Sequence, residues 1–132
     1  MVEKTVQPRK QRKRQYQALK HQKRKLVSAH LGPNYLHHKE NKYWYLPRSI
    51  PIRKGDTVKI LRGSSKGHSG KVAKVDLKKA KITVEGATVA KADGKQIPKW
   101  IDASNVCITK LDKSDKRRNK KLKQLLEEGD EE

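Results

Sequence analysis

Apolar and polar positions alternate with a period of two in three places along the chain. Val58 and Ile60 stand either side of Lys59, Lys81-Ile82-Thr83-Val84-Glu85 alternates again, and Val106-Cys107-Ile108-Thr109 closes the series. That period belongs to strands with one buried face. A further strand follows the loop after Ile60, where Gly63, Gly67 and Gly70 fall within eight residues and can supply left-handed backbone or close approach to a ligand. Gly86 marks a bulge or bend, Ala92-Asp93-Gly94 a turn, and Asn105 to Thr109 a last strand. Five short strands are predicted, with a core of Val58, Ile60, Val72, Val75, Ile82, Val84, Val89, Ile97, Val106 and Ile108.

Helical composition runs from Pro8 to Leu31, between a proline suited to a first turn and the Gly32-Pro33 stop. Its stripe of Tyr16, Leu19, Leu26 and Val27 is thin, so a partner is expected to order it. Asn34 to Pro47 reads as a connector, with Tyr35, Tyr43, Trp44 and Tyr45 as anchors. A last helix is expected from Ser114 as N-cap, with Leu122, Leu125 and Leu126 on one face. Its cations, Lys116 to Lys123, come early and Glu127 and Glu128 late, opposite to what the helix dipole favours. An anion bound at the basic half accounts for that order.

Charge turns this outline into a function class. The 132 residues hold 34 Lys and Arg against 14 Asp and Glu, a formal charge of +20, with 33% hydrophobic residues and no Phe. Such a field attracts polyanions and leaves sequence for only one small core. Net charge is +11 over residues 1–49, +9 over 50–111 and zero over 112–132, which divides the chain into a basic arm with connector, a barrel, and a helix with an acidic tail. The lone Cys107 excludes an intramolecular disulfide and a multi-cysteine zinc site, and reads as a buried or half-buried strand thiol. Without a signal-like or membrane-length apolar run, a soluble intracellular protein is expected.

The segment Gly55-Asp-Thr-Val-Lys-Ile-Leu-Arg-Gly-Ser-Ser-Lys-Gly-His-Ser-Gly-Lys-Val72 resembles the KOW motif. Around it stand Gln7-Pro8-Arg9-Lys10-Gln11-Arg12-Lys13, Arg48-Ser49-Ile50-Pro51-Ile52-Arg53, Val84-Glu85-Gly86, Lys91-Ala92-Asp93-Gly94, Ser104 to Leu111, and Ser114-Asp115-Lys116-Arg117-Arg118. Over residues 7–118 this ordered set resembles the family of large-subunit ribosomal proteins numbered twenty-four in the universal scheme, in its archaeal and eukaryotic branch, called twenty-six in eukaryotes. The resemblance implies a mainly β fold: a small SH3-like KOW barrel with a basic N-terminal arm or helix and a C-terminal helix. It also implies a structural constituent of the large subunit that binds the 5′ region of the rRNA near the polypeptide exit tunnel, early in assembly. Carried onto this sequence, it makes Arg9, Lys10, Arg12, Lys13 and Arg14, the loop of Gly63, Ser64, Ser65, Lys66, Gly67, His68 and Gly70, and Arg53 and Lys110 contacts to rRNA.

The remaining basic candidates are Lys23, Arg24, Lys25, Arg48, Arg62, Lys71, Lys116, Arg117 and Arg118. Flexible Lys and forked Arg satisfy phosphates where RNA strands converge, and a loop of amides and hydroxyls suits shape and 2′-hydroxyl recognition without a base code. Trp44, Trp100 and the tyrosines either stack on unpaired bases or fill the barrel edge. His68 either meets phosphate or ribose or faces solvent. The adjacent His37 and His38 lack partners for a metal site, and no nucleophile elbow, nucleotide loop or paired-carboxylate constellation is present. An enzyme is therefore not expected, nor a cofactor, membrane, small-molecule substrate or homo-oligomer; neighbouring ribosomal proteins are. Two rival readings are a KOW-type transcription elongation factor, which would need a further domain to grip polymerase, and a basic SH3-like chromatin protein, which needs no long arms.

Overall fold

The computed structural model describes residues 4–32 and 48–130, with side chains through Lys123. The connector with its tyrosines, Trp44, His37 and His38 lies outside the described residues, as do the side chains of Leu125 and Leu126. The fold is mainly β and barrel-like. Seven strands, β1 (Ser28–Leu31), β2 (Ser49–Pro51), β3 (Thr57–Ile60), β4 (Ser69–Asp76), β5 (Lys81–Ala90), β6 (Gln96–Asp102) and β7 (Val106–Lys110), form one sheet in the order β2-β1-β7-β3-β4-β5-β6. Helices α1 (Pro8–Gln17) and α2 (Lys20–Leu26) precede it and α3 (Lys116–Asp130) follows.

The N-terminal segment departs from the single helix expected to Leu31. It breaks at Ala18 and Leu19, and after Leu26 the chain becomes β1, paired parallel to β7 and antiparallel to β2. Val27, Ala29 and Leu31 are buried on alternate positions, whereas Leu26, Leu19 and Tyr16 are exposed. The sheet thus draws its first strand from the segment expected to be an arm. Prolines sit where the ladder tolerates them: Pro51 and Pro98 lie in β2 and β6, the two strands that end the sheet order.

Val58, Ile60, Val72, Ile82, Val84, Val106 and Ile108 form the core as expected, joined by Ile50, Ile52, Ala87, Ile101, Ala103 and Leu111, with Val75 partly buried against them. Val89 and Ile97 do not belong to it, being 46% and 38% exposed. They pair with each other in the outer part of the β5–β6 hairpin, beyond the register shift between Thr83 and Thr88. Gly86 has φ +84°, and its bulge and the Lys91–Lys95 turn stand where the sequence places them.

Candidate nucleic-acid interface

The β3–β4 hairpin builds a compact loop. The Gly67 amide donates to Ile60 O at 2.8 Å, and Lys66 N donates to Gly63 O at 3.2 Å, with Gly63 and Gly67 at φ +96° and +87°. Neither glycine has a neighbour within 4 Å of where a Cβ would stand, so backbone conformation alone requires them. Arg62, Ser64 and Lys66 are exposed around the loop, while Ser65 is half-buried.

Two of the expected loop contacts also have roles within the fold. Gly70 lies in β4, not in the loop, and a Cβ there would meet Glu85 O at 2.6 Å, so its smallness serves strand packing. His68 Nε2 bonds Glu85 O at 2.8 Å, and its ring occupies the space over Gly86. The imidazole staples the hairpin to the β5 bulge while remaining half-exposed. Lys99, not anticipated, reaches the Ser64 hydroxyl from β6.

Across β7, β3 and β4 the register places Lys110 and Lys71 opposite Thr57, and Cys107 and Ser69 opposite Lys59. Directly opposed residues share a face. Lys59, Lys71 and Lys110 therefore form an exposed outer row, in which Lys59 lacked a sequence signal beyond its alternation with Val58 and Ile60. Burial raises the Cys107 thiol pKa from its ordinary value, partly opposed by Lys59.

A further convergence of charge lies along a groove. An open groove of about 1290 Å³ is walled by Arg24 and Lys25 of α2, Arg53 and Lys54 before β3, Lys74 of β4, Lys78 in the following turn, and Arg117 and Lys121 of α3. His21, Asp76, Asp115 and Trp100 also line it. Of the expected residues it gathers Arg24, Lys25, Arg53 and Arg117; sequence reading missed Lys54, Lys74, Lys78 and Lys121. Only the folding of distant segments brings these together. Lys10, Lys13 and Arg14 border a separate concavity between α1 and α2. Arg9 and Arg12 are exposed on α1, which buries no residue; Arg48 and Lys116 are exposed and Lys23 half-buried outside the groove.

A buried ion pair sets the place of α3 and removes Arg118 from the surface. Arg118 is 7% exposed, and Asp56, at 0%, accepts from its Nη1 at 2.6 Å and Nη2 at 2.8 Å. The same carboxylate accepts the amides of Arg53 at 3.0 Å and Asp112 at 2.9 Å, while Arg118 Nη2 reaches Pro51 O at 3.1 Å. Arg118 is a clamp between helix and sheet, its guanidinium turned into the protein. The cap also differs from expectation: Asp115 accepts the Arg117 amide at 2.9 Å as N-cap, and its other oxygen pairs with Arg53. Ser114 instead donates to Asp112, and that hydroxyl, then the Ser114 amide, hold the Asp112 carboxyl pKa below its ordinary value.

Among the described residues no three His, Cys, Asp or Glu side chains are grouped to hold a metal, and no helix is long and apolar enough to cross a membrane. Comparison with known proteins gives a consistent result. Large ribosomal subunit protein uL24 of Methanospirillum hungatei is 47% identical over 116 residues, covering 88% of this chain and 92% of the relative. The proteins of the same name from Methanothrix thermoacetophila and Methanoculleus marisnigri are each 45% identical, covering 86% and 88% of this chain and 93% and 91% of theirs. Residues 5–124, a span from before α1 into α3, match the family that joins the eukaryotic ribosomal proteins L26 with their archaeal counterparts, and the chain belongs to that family.

Proposed function

We propose that this protein is a non-catalytic structural constituent of the cytoplasmic large ribosomal subunit that binds large-subunit rRNA and neighbouring ribosomal proteins. By the family resemblance, its rRNA target is the 5′ region near the polypeptide exit tunnel, and its binding helps to initiate assembly. The observation that carries the reading is the groove in which α2, the segment before β3, β4 with its following turn, and α3 together supply eight Lys and Arg side chains. Cations from separate elements facing one space match a folded polyanion, whose phosphates also converge from separate strands. The hairpin loop, the outer lysine row and α1 extend the basic surface beyond the groove.

Tagged protein expressed in an archaeal host should co-sediment with large subunits and their precursors through a sucrose gradient. Combined replacement of Lys54, Lys74 and Lys121 by Ala should reduce that incorporation without changing the melting temperature. Sedimentation only at the top of the gradient would overturn the reading.

A further inference from the structure

Trp100 is the exposed aromatic of the basic groove, and its position gives that groove more than phosphate affinity. It lies in β6 opposite Thr83 and is 47% exposed, whereas the next residue, Ile101, is buried at 7%. Alternation along the strand therefore turns Ile101 to the core and the indole outward. The two groove acids are engaged within the protein: Asp76 accepts the amides of Lys78 and Lys79, and Asp115 caps α3 and pairs with Arg53.

An aromatic face among cations is the combination that holds single-stranded nucleic acid: side chains neutralise phosphate while a base stacks. A paired base keeps both faces inside its helix, so only an unpaired nucleotide can reach an indole in this way. The groove, at about 1290 Å³ and open, exceeds the ~300–1,000 Å³ of ordinary small-molecule pockets and suits a segment of polymer. Resting on the rRNA-binding reading above, we propose that Trp100 is a stacking platform for an unpaired RNA base whose flanking phosphates lie on Lys54, Lys74 and Lys121.

The test uses the full chain carrying Trp44→Phe, which leaves Trp100 as the one tryptophan of the two in the sequence. Three RNA hairpins sharing one loop are titrated at one salt concentration: one with a single bulged adenosine in its stem, one with an abasic residue there, and one with a fully paired stem. Stacking predicts that the bulged adenosine quenches the indole fluorescence beyond the level the other two give. Adding Trp100→Ala should weaken binding of that hairpin by about 5- to 150-fold, the range of base–aromatic stacking, and leave the other two unchanged. Trp100→Phe should restore most of the difference. Absence of that excess quenching, or equal weakening of all three hairpins by Trp100→Ala, overturns the platform while leaving rRNA binding intact. Failure of every hairpin to bind would overturn both readings.

Discussion

Replacing Arg118 with Met tests how α3 is held. The substitution keeps a long unbranched side chain but removes both hydrogen bonds to Asp56 and the one to Pro51 O. The Asp56 carboxylate, 0% exposed, would retain the Arg53 and Asp112 amides but lose its counter-charge. Breaking a buried pair from one side costs about 3–5 kcal/mol, because the remaining charge is uncompensated. For a folded unit of roughly 60–100 residues, each kcal/mol shifts the melting temperature by about 4–8 °C, so a loss of at least ~12 °C is expected.

Circular dichroism melts, with urea unfolding for the free energy, give the measurement. Asp56→Asn in the Arg118→Met background removes the stranded charge, so the double variant should lose less than the sum of the singles, with a coupling above about 1.5 kcal/mol. Buried pairs are screened little by salt, so the deficit should persist at high ionic strength. The exposed Lys81–Asp102 pair, at 3.5 Å, provides the contrast, since such pairs contribute about 0–1 kcal/mol and weaken in salt. A loss below about 1 kcal/mol for Arg118→Met, or additivity within about 0.5 kcal/mol, would refute the clamp.

Gly67→Ala should cost about 1 kcal/mol or more from strain at φ +87° in open space, and Gly70→Ala more than that, because its Cβ meets the Glu85 carbonyl; urea unfolding of both variants checks the order. Lys66→Ala should leave the melting temperature unchanged and lower affinity for an rRNA fragment by one phosphate contact, making the slope of log affinity against log salt shallower by about 0.7–0.9. For the parent, contact with ~8 phosphates across groove and loop gives a slope near −6 to −7, and a slope shallower than about −2 would mean idle charge. Cys107 should alkylate more slowly in the folded protein than in urea near pH 8, since burial disfavours its thiolate. Because the folded pKa is the higher one, its contribution to stability is complete below the unfolded pKa and is lost as pH rises through the folded value.

The strands with clean alternation were legible in the sequence, and so were the hairpin, the Gly86 bulge and the final helix. Strand β1 was not, although Val27, Ala29 and Leu31 carry the same period, because the cation-rich helical composition before them runs up to Leu26 without a glycine or proline stop. Val89 and Ile97 misled in the opposite direction: β propensity marks a strand, but whether its face is covered depends on how far the hairpin extends past its neighbours. Arg118 had the same look as Arg117 beside it. Helical periodicity turns one toward the sheet and its neighbour toward the groove, and only the position of the distant Asp56 distinguishes them.

Where the few acids go explains how the fold keeps so much positive charge available. Asp56 binds two backbone amides besides Arg118, Asp76 binds the amides of Lys78 and Lys79, Asp93 that of Lys95, Asp112 that of Ser114, and Asp115 that of Arg117. These carboxylates close turns and caps, tasks that need an acceptor with no proton to donate. Among the described side chains, only Arg53, Lys81 and Arg118 pair with a carboxylate. Negative charge is thus directed into the backbone at turns, while among the described side chains most lysines and arginines project without a carboxylate partner. A surface evolved only for solubility has no reason to separate its signs in this way. Under the proposed role, phosphates supplied from outside would complete the electrostatics, making the free protein the less favourable electrostatic state and rRNA binding the step that relieves its self-repulsion.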